Sequence, residues 1–294
     1  MRRRWQAPVP PIPFAGRGGA GYGRAPAAAR TPMPQPRPIG RINWIGLWTL
    51  TAKEVHRFLK VATQTIAAPV ITTLLFYAIF ALALGGATRQ AAGVPFLQFL
   101  APGLIMMAMA QNAFANTSSS LMIAKVQGNI VDVLMPPLSP AELAIGYIAG
   151  GITRGLLVGA VTWVAIRIFV PVDPIHPGFV LFHGLAASMM LALLGAIGGI
   201  WSEKFDHIAA VTNFVVTPLS FLSGTFYSLD RLPEAWHFVA HLNPFFYMID
   251  GFRYGFIGVS DGTLGVGILV LTVTDAALLA LLLRMLGTGY KLKA

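Results

Sequence analysis

The chain has 294 residues, 55% hydrophobic and 11% charged, with a formal net charge of +10. Soluble domains average about 25% charged residues, and the mean hydropathy of +0.68 places this sequence among integral membrane proteins. Its basic residues gather at the N-terminus and beside the ends of apolar runs, where membrane orientation puts them, so nucleic acid is not an expected partner. The absence of cysteine removes disulfides, thiolate metal sites and thiol catalysis.

Residues 1–40 are rich in Pro, Gly, Ala and Arg and contain no acidic residue and no apolar block. They read as a disordered cytoplasmic tail, since the prolines oppose a helix and a secretory signal needs a continuous apolar region. Translation from Met33 is a second reading of the same stretch. The remainder, residues 41–294, reads as one transmembrane domain.

From Asn43 to Ala62 one helical period dominates. Trp44, Leu47, Trp48, Thr51, Val55, Phe58, Leu59 and Ala62 share a face, with Lys53, Glu54, Arg57 and Lys60 opposite. Two tryptophans beside a basic face predict an amphipathic helix in the headgroup plane. Six spanning helices follow, over about residues 66–84, 99–124, 142–170, 179–201, 208–227 and 264–286. Six crossings put both termini on one side. Lys53, Arg57, Lys60, Lys125, Arg154, Lys204, Arg284, Lys291, Lys293 and the N-terminal arginines then lie on or near that side, against Arg89, Arg167, Arg231 and Arg253 opposite. The excess makes the termini cytoplasmic.

The loop between the second and third spans, Lys125 to Glu142, falls on the same cytoplasmic face. Gly128 and Asn129 end the preceding helix, and Asn129 is placed to N-cap a short one over Ile130–Met135. Asp132 lies near its positive end, and Pro136 and Pro137 stop it. Ser139-Pro140-Ala141-Glu142 then has the form of a capping box opening the third span. A short apolar helix punctuated at both ends reads as a docking knob for a second protein. Between the fifth and sixth spans, residues 228–262 are too apolar for a simple loop and too broken to cross. Two short helices, divided at Asn243-Pro244, are expected to dip into the outer leaflet or cap the bundle.

No lysine in the chain follows a glycine, so the phosphate-binding loop G-x-x-x-x-G-K-[ST] is absent. No H-E-x-x-H, G-x-S-x-G or paired-carboxylate pattern occurs either, so no catalytic, cofactor or metal residue is assigned. The second span is unusually polar, with Gln111, Asn112, Asn116, Thr117, Ser118, Ser119 and Ser120. Such residues act as hydrogen-bonding glue between helices or line a substrate path. Gly151, Gly155 and Gly159 make a small face for close helix packing. Asp275, deep in the sixth span, and His183, in the fourth, leave open a proton relay. Glu203, Lys204 and Asp206 read as solvated loop charges.

Four stretches together carry a resemblance: Q-N-A-F-A-N-T-S-S-S from Gln111, G-N-I-V-D-V-L-M-P-P-L-S-P-A-E-L from Gly128, T-P-L-S-F-L-S-G-T-F-Y-S-L from Thr217 and N-P-F-F-Y-M-I-D-G-F-R-Y-G-F-I-G from Asn243. In order, spacing and topology they resemble the inner-membrane permease subunits of ABC-2 type transporters, the bacterial drug, polysaccharide and lipooligosaccharide exporters. The resemblance implies an all-α integral membrane fold: six transmembrane helices, an N-terminal interfacial helix, and short outer re-entrant helices between spans five and six. It implies a homodimer in the bacterial inner membrane, each copy binding a separate ABC ATPase that carries the ATP and magnesium. On this likeness Ile130, Val131, Asp132, Val133, Leu134 and Leu138 form the coupling helix that docks the ATPase. Phe221, Phe226 and Tyr227 are the expected exit gate, with an amphipathic or lipid-linked molecule as cargo. Two other readings stand beside it: a secondary transporter driven by ions or protons through Asp275, and a scaffold subunit of a larger membrane assembly.

Overall fold

The computed structural model describes residues 40–83, 90–228 and 234–292. The expected N-terminal tail lies outside them apart from Gly40, as do Arg89, Arg231 and Lys293. The described fold is helical, and six of its helices are long and apolar enough to cross a membrane.

Helix α1, Trp44–Leu59, begins where the Asn43 side chain accepts from the Gly46 N–H at 2.9 Å. A π turn at Thr63–Ala67 joins it to α2, Ala68–Ala83. A two-residue ribbon, β1 (Gln90–Ala91) antiparallel to β2 (Val94–Pro95), leads into α3, Phe96–Val126. Gly128, at φ +74°, closes α3 with a left-handed turn that side-chain-bearing residues resist.

The short helix α4 follows at Ile130–Leu134, then α5 at Pro140–Arg167 and α6 at Pro177–Trp201. The fifth span comprises α7 (Phe205–Val211), a second π turn at Thr212–Val216 and α8 (Thr217–Leu222). It ends five residues before the expected Tyr227, because Ser223 leaves helical geometry and Gly224 takes a positive φ. The segment between the fifth and sixth spans forms α9 (Glu234–Leu242) and α10 (Pro244–Ile257), and α11 (Leu264–Thr288) is the last span.

Helix α3 is the axis of the bundle, packing mainly on α5 and α6 and also on α10 and α2. In its most apolar stretch 78% of residues are buried within the protein, against 17% for the first span and 11% for the fifth. Those two spans are therefore peripheral, leaving apolar flanks for lipid or another chain. Gly151, Gly155 and Gly159 are where α5 meets α3 and α6: added methyl groups there would collide with Ala192, Ser188 and Met109 respectively. The small face thus packs helices within one chain.

Helix α10 departs from the expectation of a leaflet-dipping segment. Phe245 to Arg253, Gly255 and Phe256 are all buried, packed among α3, α6 and α11. The break before it is satisfied within the protein, since Asn243 accepts from the Phe245 N–H at 3.0 Å and donates to the Leu219 carbonyl at 3.0 Å.

Candidate functional site

Two regions gather the residues with chemical potential: the end of the bundle that carries α4, and the polar side of α3. At the first, Ser139 accepts from the Glu142 N–H while the Glu142 carboxylate takes the Ser139 N–H, completing the expected capping box. The same carboxylate also accepts the Asn43 N–H of α1. One side chain therefore caps the starts of two helices, a link of 99 residues in sequence that no local pattern announces.

Between these anchors hangs α4. Asn129 does not cap it as expected; its amide donates to the Gln127 side chain at 3.2 Å instead. The six residues assigned to docking divide into two groups. Ile130 is buried at 5% exposure and packs into the core, so it holds the knob from behind and cannot form its outer surface. Val133 and Leu138 are partly buried against the same core. Val131, Asp132 and Leu134 are exposed, and Met135, at 77% exposure, joins them. A cavity of about 640 Å³ opens behind this knob, walled by Leu50 and Lys53 of α1, Ile123 of α3 and Val133 of α4.

Two lysines tie down the α6 terminus at the same end. Lys125 donates to the Ile200 carbonyl at 2.6 Å, and Lys291 pairs with Glu203 at 2.8 Å. Glu203 is thus engaged in an ion pair, although solvated. The Lys291 ammonium holds its carboxyl below the usual range, and Glu203 in turn raises the Lys291 amine.

On α3 the expected polar residues are drawn into a network. Glu54, predicted on the exposed face of α1, is completely buried, because α1 turns Leu50, Glu54 and Phe58 inward and leaves Trp44 and Trp48 exposed. Its carboxylate accepts from Ser120 at 2.7 Å and pairs with Arg57 at 3.1 Å. Arg57 also donates to the Asn116 side chain at 3.0 Å. Thr117 reaches across to the Ala192 carbonyl of α6 at 2.8 Å. Arg154, counted above among flanking charges, is instead buried midway along α5, donating to the Asn112 side chain at 2.9 Å.

Further along the same helix, away from α4, two more cavities flank α3. One, of about 370 Å³, lies toward the fifth span, and the other, of about 330 Å³, toward α2. Gln111 and Asn112 line both. At the ends away from α4 the two peripheral spans meet through aromatic rings. Phe221 and Phe226 stack at 5.2 Å, and Phe80 of α2 lies 4.7 Å from Phe226. Phe80 was missed because nothing in its own span marks it; Tyr227 stands apart, its hydroxyl donating to the Leu222 carbonyl at 3.1 Å.

Arg253, Asp250, His183 and Asp275 are buried as well. Arg253, counted above as an outer charge, is buried over the Phe99 ring at 3.9 Å and donates to the Gly224 carbonyl at 2.6 Å. Asp250 accepts from the Asp261 N–H at 2.7 Å and the Gly262 N–H at 3.1 Å, while burial pushes its carboxyl upward. His183 and Asp275 are buried on α6 and α11, and His183 packs against Gly251.

A six-span helical bundle with a punctuated knob at one end and a polar seam between loosely held spans is the build of a multi-pass transport permease. Residues 46–257 match the ABC-2 type transporter family. The chain is 39% identical over 250 residues to the inner membrane transport permease YadH of Escherichia coli strain K12, covering 84% of this chain and 98% of that protein. It is 24% identical over 250 residues to nodulation protein J of Rhizobium leguminosarum bv. viciae, covering 80% and 91%, and 22% identical over 228 residues to nodulation protein J of Rhizobium meliloti strain 1021, covering 74% and 82%. The chain belongs to the ABC-2 type transporter family and is a multi-pass inner-membrane permease of an ABC transporter. Membership of that family implies an ABC ATPase as partner.

Proposed function

We propose that this chain exports an amphipathic or lipid-linked molecule across the inner membrane, driven by ATP and magnesium held on a separate ATPase subunit. The observation that carries this reading is the knob: a five-residue helix anchored by Ile130 that leaves Val131, Asp132 and Leu134 exposed. No phosphate-binding loop occurs in the sequence to supply the energy locally. In this reading the termini and α4 are cytoplasmic, α1 lies in the headgroup plane on Trp44 and Trp48, and α9 and α10 close the outer end.

Two copies pair, because the amide and hydroxyl side chains lining the cavities beside α2 and the fifth span need cover from hydrocarbon, where unsatisfied polar groups are costly. Cargo passes along the polar side of α3, and the Phe221–Phe226 stack forms the exit gate. The test is purification of the tagged chain from its native membrane in mild detergent, with mass spectrometry of what accompanies it. The expected result is a stoichiometric protein with a phosphate-binding loop. Its absence even after cross-linking would overturn the reading.

One observation favours the proton-driven alternative: Asp275 is buried in α11 with a carboxylate oxygen that has no hydrogen-bond partner. That alternative requires transport to collapse with the proton gradient while ATP remains, and Asp275→Asn to abolish it.

A further inference from the structure

Two guanidiniums and one carboxylate line the polar side of α3, and the charges do not cancel. Glu54 is matched by Arg57 at 3.1 Å, with Lys53 at 3.7 Å on the exposed side. Arg154 has no such match. It is 9% exposed, its Nη2 donates to the Asn112 side-chain oxygen at 2.9 Å, and its Nε has no hydrogen-bond partner. Among the described residues no carboxylate lies within ion-pairing distance of it.

Arg154 lies midway along α5 and Asn112 midway along α3. Both positions fall at the middle of helices long enough to span, where a cation without a counter-charge is costly and marks a functional position. Asn112, with Gln111 beside it, also lines both of the cavities that flank α3. Their remaining polar lining is amide and hydroxyl, including Gln64, Thr72, Gln111, Ser118 and Thr212, with no charged side chain. The positive charge therefore stands one side chain behind both cavities, in surroundings of low dielectric that lengthen its reach. Asp275, on α11, lines neither.

We infer that the two cavities take an amphiphile whose head group carries a negative charge, a phosphate or carboxylate, with Arg154 as its counter-charge. In either cavity, rotation of the Asn112 amide brings the head to the guanidinium, while the tail lies against Phe76 and Leu104 in the one toward α2 and against Val216 in the one toward the fifth span. The inference rests on the path proposed above and narrows its cargo.

The probe is dodecyl phosphate, added to the full chain in nanodiscs of zwitterionic phosphatidylcholine, with dodecyl maltoside and inorganic phosphate as comparisons. Binding is read as a rise in apparent Tm and by titration. Dodecyl phosphate is expected to bind at least about tenfold more tightly than either comparison, the range of a hydrogen bond to a charged group. Equal binding of dodecyl maltoside would overturn the role of charge, and equal binding of inorganic phosphate would overturn the amphiphile.

Arg154→Gln is expected to lose that preference. Asn112→Asp supplies an internal counter-charge, so it should raise Tm without ligand and also lose the preference, which a merely structural role for Arg154 does not predict. Undiminished dodecyl phosphate binding in either variant would refute the inference. Failure here with the ATPase still co-purifying would remove the anionic cargo and leave the permease reading intact.

Discussion

Gly150 of α5 leaves the space that Glu54 of α1 fills: a methyl group on Gly150 would come within 2.5 Å of the Glu54 Cβ. One turn earlier Gly146 receives Leu50, so α1 is seated on α5 through two glycine notches. Gly150→Ala is expected to cost about 1–3 kcal/mol by overpacking, seen as a lower Tm. Gly198→Ala in α6, where an added methyl meets nothing within 4 Å, is the control and should be neutral or slightly stabilising. Equal effects of the two would contradict the seating of α1.

The Glu54–Arg57 pair makes a second case. Removing the carboxylate alone, as Glu54→Ala, leaves the half-buried Arg57 guanidinium without its counter-charge, though still bonded to Asn116, and should cost about 2–3 kcal/mol, at or below the low end for a fully buried pair. Replacing both residues with leucine should recover most of that loss. Chemical denaturation of the three variants in one detergent reads the cycle. A double variant no more stable than Glu54→Ala would show that the pair is not what holds α1.

How much of this was legible in the sequence follows from which forces act locally. The starts of α5, α6 and α11 fall within about two residues of expectation, consistent with ordinary boundary uncertainty, because proline and apolar length mark them directly. The capping box at Ser139 and Glu142 was likewise readable, being a contact three residues apart. Asn43 joining the same carboxylate was not, since it depends on α1 folding back over α5. Glu54, Arg57, Arg154 and Arg253 were all read as solvated or flanking charges. Hydropathy sees a charge and assigns it to water, whereas each of these also finds a partner on another element: Glu54 on Ser120, Arg57 on Asn116, Arg154 on Asn112 and Arg253 on Gly224. Phe80 escaped for the same reason: only the approach of α2 to the end of the fifth span gives it a role.

The Phe80–Phe226 contact predicts a latch between the two peripheral spans. The chain has no cysteine of its own, so a Phe80→Cys, Phe226→Cys pair can be bridged cleanly in membranes by a short thiol cross-linker. The expected outcome is efficient bridging and, with the partner present, slowed ATP turnover that recovers on reduction. Efficient bridging with unchanged turnover would remove these rings from the gate.

At the α6 terminus the Glu203–Lys291 pair should respond to pH in a defined sense. The Glu203 carboxyl is lowered, so the tether is complete above the ordinary glutamate range and is lost as pH falls through the depressed value. The Lys291 amine is raised, so at the other extreme the tether persists past the ordinary lysine range. A spin label at Thr288→Cys should stay immobile from about pH 5 to pH 10, between the ordinary ranges of the two groups, and loosen below. Glu203→Gln should be loose throughout, and a label equally immobile in that variant would contradict the tether.

The division of α4 into anchor and outer surface gives the most direct measurement of the central claim, co-purification of the ATPase with variants of the knob. Leu134→Glu and Asp132→Lys change only exposed positions, so both should insert normally and lose the ATPase together with its ATP turnover. Ile130→Ala should retain docking chemistry but lower Tm, at a cost of about 2–5 kcal/mol for a buried isoleucine. An ATPase that co-purifies undiminished with Leu134→Glu and Asp132→Lys would contradict the assignment of α4 as the site through which ATP hydrolysis drives this permease.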